Sequence, residues 1–268
     1  MTSTPRPVRI GVQIAPQHAT YEQIRDTAAE LEDLGVDIIF NWDHFFPLSG
    51  ERDGLHFESW TMLAALAEQT NRVELGALVN CNGYRNANLQ ADMARTIDHI
   101  SAKGTGRGRF IFGTGSGWFQ RDYDEYGYDF GTVGSRLNAL AAALPVIEDR
   151  WSKLNPPPTR KIPVLIGGGG EKKTLRIVAR HADIWHSFSD VPTLERKLGI
   201  LSGWCDEVGR DAGEIEVSVE VKNASVEAGE EYVAMGASLF TVGISGPHYD
   251  LRQAREWIAW RDSVNARA

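Results

Sequence analysis

The chain is short of cysteine. Only Cys81 and Cys205 occur in 268 residues, so neither a disulfide framework nor a Cys-x-x-Cys metal knuckle can be built. That usage fits a reducing, cytoplasmic setting. The opening segment, Met1 to Pro7, lacks the apolar core of a secretory signal. No apolar run approaches the roughly 20 residues needed to cross a bilayer, which argues against a membrane partner. Positive charge is in deficit: 28 Lys and Arg against 36 Asp and Glu leave a net charge of −8. Nucleic-acid phosphate is therefore a poor candidate for the main partner. Metal motifs are missing as well. There is no HExxH and no EF-hand loop, and the seven histidines are scattered, so no metal site is expected. The GxSxG elbow of the common serine hydrolases does not occur.

What is present is a strict alternation of short β-rich runs with helical ones. Strands are expected at 9–14, 37–42, 73–79, 109–113, 163–166, 183–188, 215–221 and 238–244. Between and after them the periodicity predicts helices at 21–34, 58–70, 88–103, 135–154, 172–181, 193–208 and 250–264, with a short segment at 229–235. Eight βα units of about 33 residues each suit a closed (β/α)8 TIM barrel, an α/β fold, although eight such units can also form an open doubly wound sheet. No second domain is evident, and residues 1–268 read as a single barrel domain. The run Asn155-Pro-Pro-Pro-Thr159 reads as a stiff connection into the fifth strand, not a boundary.

A barrel of this kind keeps its chemistry at the C-terminal ends of the strands. The second strand ends in Asn41-Trp42-Asp43-His44-Phe45-Phe46-Pro47. There His44 is a candidate general acid or base, or a hydrogen-bond partner of a cofactor ring, and Asp43 a candidate to orient it. Cys81, after the third strand, has no base beside it and reads as a small packed thiol. The fourth strand runs into Gly113-Thr114-Gly115-Ser116-Gly117-Trp118-Phe119. Its alternating glycines let backbone approach a flat ligand, and Trp118 occupies the place where a GxGxxG fingerprint needs glycine. The sharpest local signal is Ile166-Gly167-Gly168-Gly169-Gly170-Glu171-Lys172. Such a loop presents free N–H groups at a helix start and suits a phosphate. It is not a Walker A loop, because Lys172 falls where glycine is required. After the sixth strand, Trp185-His186-Ser187-Phe188 offers an aromatic and a histidine.

In their order and strand positions these segments resemble the luciferase-like monooxygenase superfamily, and within it the F420-dependent oxidoreductases. The carriers are 41–46, Glu74-Leu75-Gly76-Ala77-Leu78-Val79, 113–119 with Glu125-Tyr126-Gly127, and 163–170. The resemblance implies a TIM barrel that binds coenzyme F420 or FMN and acts on a small organic molecule. It places the cofactor ring near Asp43, His44, Leu78, Val79 and Asn80, with Ser116, Gly117 and Trp118 beside it. It places a non-proline cis peptide near Leu78–Val79, and the phosphate on Gly167, Gly168, Gly169 and Gly170. His44, oriented by Asp43, becomes the expected catalytic pair. An FMN-dependent monooxygenase using oxygen and a non-catalytic binder of a phosphate-bearing ligand remain alternatives. Residues 222–237 leave no room for the long insertion that covers the pocket in larger relatives. The site is then more open, or is covered by a partner subunit in a homodimer.

Overall fold

The computed structural model describes residues 6–221 and 225–267, so part of the short 222–237 segment lies outside the described residues. The chain begins with β1 (Arg9–Ile14), α1 (Tyr21–Asp33), β2 (Ile38–Asn41), α2 (Ser59–Gln69), β3 (Glu74–Ala77) and β4 (Asn80–Cys81). It continues with α3 (Ala87–Ala102), β5 (Phe110–Gly115), α4 (Gln120–Tyr126), α5 (Val133–Lys153), β6 (Val164–Gly167) and α6 (Thr174–His181). The last elements are β7 (Ile184–Ser187), α7 (Val191–Val208), β8 (Glu216–Glu220), α8 (Val226–Ala234), β9 (Ala237–Ile244) and α9 (Arg252–Asn265).

Every strand pairing in the sheet is parallel. The β1–β9 and β3–β5 pairings close it into a ring. Both β3 and β4 pair with β5, so they are two halves of one barrel strand and the ring has eight positions. This is the expected (β/α)8 barrel, with two differences in detail. The third strand, expected unbroken over 73–79, is interrupted where the Leu78–Val79 peptide is cis. The long connection after the fourth expected strand contains α4, a seven-residue helix whose start has no side-chain cap.

Local chemistry sets the other boundaries. Thr20 and Gln23 form a capping box at the start of α1. Asp190 caps α7 with Pro192 in its first turn, and Gly209 ends it in the left-handed conformation.

Two apolar layers hold the barrel. The larger lies between sheet and helices and includes the fully buried Trp60, Trp185 and Trp257. The smaller fills the ring itself with Ile38, Phe40, Leu78, Ile111, Leu165, Ile184 and Leu239. At the N-terminal end of the strands the interior turns ionic: Arg9 pairs with Glu74 and Glu216, and Arg160 pairs with Glu74. At the opposite, C-terminal end the apolar filling gives way to a polar-rimmed cavity.

Candidate active site

The loop after β2 is anchored before it reaches the cavity. The Asn41 amide donates to the Ser59 carbonyl (3.0 Å) and accepts from the Ser59 hydroxyl (2.9 Å), tying the strand end to α2. Asp43 and His44 then diverge to different partners. Asp43 faces a bidentate guanidinium, with Arg85 Nη1 and Nη2 at 2.7 and 3.0 Å, and accepts the Cys81 N–H at 3.0 Å. Arg85 also bonds Glu58, the N-cap residue of α2 (2.5 Å). Burial works against charge at Arg85, yet Asp43 and Glu58 hold its guanidinium above the ordinary arginine value. Burial likewise pushes the Asp43 carboxyl above the usual aspartate range, against the pull of Arg85.

His44 has a different partner from the one expected. Its Nδ1 lies 2.6 Å from Asp122 Oδ2, on α4, so the expectation that Asp43 orients it does not hold. Asp43 is turned away into its ion pair with Arg85. Asp122 is fully buried and also accepts from the Phe45 N–H (3.0 Å) and the Tyr84 hydroxyl (2.8 Å). Three donors on one carboxylate fix both the acid and the ring it holds. Trp42, Trp118 and Phe119 stand edge-on to the imidazole, with centroids 6.3, 5.6 and 5.5 Å away. With Nδ1 engaged, Nε2 is the nitrogen left to meet a ligand.

The broken third strand supplies the floor. Gln13 donates to the Leu78 carbonyl (2.5 Å), and the Leu78 N–H donates to Asn41. The Val79 side chain occupies space left by two glycines: a Cβ on Gly115 or on Gly167 would lie 2.8 or 2.9 Å from its methyl carbons. The Asn80 side chain is spent on structure, between Trp60 Nε1 (2.7 Å) and Gln90 (2.8 Å). Cys81 is buried against the Tyr123 hydroxyl (3.0 Å), and burial pushes its thiol up to about 11. It is a packed thiol, as read from the sequence, and no nucleophile at neutral pH.

The glycine loop forms the next wall. Gly168 has φ of +124°, a conformation that favours glycine, and its N–H donates to the His186 carbonyl (3.2 Å). Helix α6 starts at Thr174 and not at Lys172, because residues 171–173 form a turn and no side chain caps the helix. A Cβ on Gly169 would collide with Lys197 Nζ, which extends from α7 and bonds the Ser189 hydroxyl (3.1 Å). Lys197 thus brings a cation to the Gly169 backbone. Bare backbone beside an ammonium is a fitting cradle for a phosphate.

One cavity of about 390 Å³ collects these parts. Of the residues expected at the site, Asp43, His44, Leu78, Val79, Asn80, Ser116, Gly117, Trp118, Gly167 and Gly168 line it, whereas Gly169 and Gly170 do not. Sequence reasoning missed Asp122, Lys197 and His186 as site residues. His186 lines the cavity, is fully buried, and has Nδ1 2.9 Å from the Ser218 hydroxyl. Burial pushes its imidazole down to about 3, so it is neutral, and its Nε2 has no partner. Among the described residues no cluster of His, Cys, Asp and Glu could hold a metal ion, and no helix is long and apolar enough to cross a membrane.

The fold is a parallel eight-stranded barrel with a buried acid–histidine pair and a broken third strand at one end. The family model for luciferase-like monooxygenases matches residues 5–257, and the chain belongs to that family. An F420-dependent glucose-6-phosphate dehydrogenase of Amycolatopsis mediterranei is 25% identical over 194 residues, 65% of this chain and 54% of the relative. The chain spans 62% of the length of a Mycobacterium tuberculosis relative, at 25% identity over 179 residues. Among solved structures, an F420-dependent secondary alcohol dehydrogenase holding an F420–acetone adduct superposes with a TM-score of 0.82 at 14% identity, covering 98% of this chain and 100% of the other. The FMN-bound oxygenating constituent of 3,6-diketocamphane monooxygenase from Pseudomonas putida gives 0.62 at 15% identity, covering 80% and 67%. Both structural likenesses concern the fold.

Proposed function

We propose that the protein is an F420-dependent oxidoreductase, a single barrel domain that transfers a hydride between the deazaflavin and a small organic substrate. The observation that carries this reading is the convergence, in one cavity, of His44 held by Asp122 with the broken third strand and the start of the glycine loop at Gly167 and Gly168. The F420-dependent dehydrogenases among the relatives support the choice of cofactor.

The donor set fits the group. Gly169 would hold the phosphate beside Lys197, since the Gly168 N–H is given to the His186 carbonyl, and the Val79 side chain would back the ring. Ser116, Gly117 and Trp118 would flank it; Gly117, at φ of +79°, has Tyr123 and Cys81 where a Cβ would stand. When bound, F420 supplies a ring carbon that accepts or donates a hydride. The chain's part is to place a substrate carbon against that ring and to manage the proton. His44 does the latter: its Nδ1–H is committed to Asp122, so Nε2 accepts a proton from the substrate, or returns one as the imidazolium stabilised by the same carboxylate. Asp43 acts through structure, locking the β2 loop to Arg85 so that His44 is correctly aimed. The ring of hydrophobic side chains at Trp42, Leu48 and Trp118 limits water at that nitrogen.

An FMN-dependent monooxygenase is the second reading, favoured by a pyrimidine monooxygenase of Allorhizobium ampelinum that is 29% identical over 146 residues, 48% of this chain and 38% of the relative. Titration of the purified protein with F420 and, separately, with FMN decides between them. Tryptophan quenching at a Kd of about 1 μM or below, near −8 kcal/mol, is expected for F420. Tight FMN binding with no response to F420 overturns the proposal.

A further inference from the structure

Among the described residues the cavity wall has no free charge to offer a substrate. No described Lys or Arg side chain lines it, its one carboxylate, Asp43, is locked to Arg85, and the His44 ring is held by Asp122. The cation nearest the glycine loop, Lys197, sits behind Gly169 and outside the cavity wall. A phosphate or carboxylate placed against this wall would find no counter-charge among the described residues.

Two features remain for a ligand. The first is a pair of rings at the mouth: Trp118 and Phe188 line the cavity and are 63% and 66% exposed, unusual values for such large apolar groups. Phe188 stands perpendicular to the His186 ring with centroids 4.7 Å apart. The second is His186 Nε2, buried and unpartnered. A buried polar atom with no partner in an otherwise satisfied wall marks the place where a ligand supplies one. The Ser218 hydroxyl at Nδ1 is able to donate to it, and in that tautomer the neutral ring carries its proton on Nε2 and donates it.

We propose that the substrate is an uncharged, flat molecule with a carbonyl group, its oxygen bound by His186 Nε2 and its apolar body packed against Trp118 and Phe188, and that phosphorylated substrates are rejected. This rests on the oxidoreductase reading for its meaning but not for its test, since selectivity at the mouth can be measured without turnover. It separates this chain from relatives named for glucose 6-phosphate.

The test uses two probes of equal size that differ in charge, 2-acetylnaphthalene and 2-naphthoate, with glucose 6-phosphate as a third. Affinities are measured by calorimetry on protein loaded with oxidised F420. The ketone is expected to bind at least 10-fold tighter than the carboxylate, with no binding of the sugar phosphate at millimolar concentration. Phe188→Ala, at an exposed position outside the residues assigned to the cofactor, should weaken the ketone about 10-fold and leave the F420 Kd within 2-fold. His186→Phe should weaken the ketone similarly, and His186→Gln, which keeps a donor, should recover most of the loss. Equal or tighter binding of either anion overturns the proposal. So does a folded His186→Phe protein with unchanged ketone affinity. If F420 fails to bind, the cofactor reading falls, and the same three ligands on FMN-loaded or ligand-free protein still decide the substrate class. If His186→Phe does not fold, the wild-type ligand series and Phe188→Ala decide.

Discussion

Asp122→Asn separates a working histidine from a merely packed one. In the native protein the carboxylate accepts from His44 Nδ1 at 2.6 Å, the Tyr84 hydroxyl at 2.8 Å and the Phe45 N–H at 3.0 Å. An asparagine of the same shape keeps one oxygen, enough for Phe45. Its NH2 group then faces His44 and Tyr84, and an amide nitrogen accepts nothing. The tyrosine can turn its hydroxyl away; the imidazole can only surrender its Nδ1 proton and carry one on Nε2. That inverts the nitrogen facing the cavity, from acceptor to donor. The lost charge-assisted bond is worth about 1.5–3 kcal/mol, so a stability loss of about 2 kcal/mol is expected. Removal of correct acid–base function costs about 10²–10⁴-fold in rate, so single-turnover reduction of bound cofactor should slow by at least 10²-fold while the cofactor Kd stays within a few-fold. Long-range nitrogen NMR of the imidazole reads the tautomer directly and needs neither substrate nor cofactor: Nδ1–H in the native protein, Nε2–H in the variant. A variant that keeps the native tautomer and a rate within 3-fold of wild type would refute the proton-handling role.

Arg85→Met strands the buried Asp43 carboxylate, and breaking such a pair costs about 3–5 kcal/mol, read as a lower urea midpoint. Adding Asp43→Asn should recover much of that loss; if it does not, the cost comes from Arg85 packing over Trp60 instead of from the charge. Gly169→Val drives a side chain into Lys197 and should raise the cofactor Kd at least 10-fold with an unchanged far-UV spectrum; unchanged affinity removes the loop from the phosphate site. Burial pushes His56 down to about 4 and His186 down to about 3, from an ordinary 6.5. Below about pH 6.5 the unfolded chain therefore takes up protons that the folded chain refuses, and stability falls with pH. Each group contributes up to about 1.4 kcal/mol per pH unit down to its folded value. Urea midpoints at pH 7 and pH 5 should differ clearly, and equal midpoints would mean that these rings are not held neutral.

The barrel was legible because it is written in short-range terms. Apolar runs of four to eight residues alternate with amphipathic stretches, and Thr20, Asp190 and Gly209 mark helix ends with their own side chains or lack of one. The loop residues that meet at the cavity were legible from strand ends alone, since the fold sends all of them to one face. Asp122 was not, because its bond to His44 joins residues 78 apart and the helix that carries it announces no cap. Lys197 sits among ordinary surface charges of α7, and only the fold brings its ammonium to Gly169. His186 was noticed as a histidine at a strand end, but nothing in its neighbours said that one nitrogen would be left without a partner. The misassigned Asp43–His44 pair shows the limit of adjacency: these two neighbours diverge to different partners.

Val79 fills the space that Gly115 and Gly167 leave open, across three separate barrel strands. The three positions therefore share one volume, and none can vary alone. Gly115→Ala or Gly167→Ala by itself should overpack the floor, at about 1–3 kcal/mol, and tilt whatever rests on it. Either should become tolerable beside a smaller residue at position 79. A lineage reshaping this floor for a differently sized ring would have to cross a valley of paired substitutions, so the floor should change more slowly than the mouth, where Trp118 and Phe188 each stand in open solvent and can be exchanged one at a time.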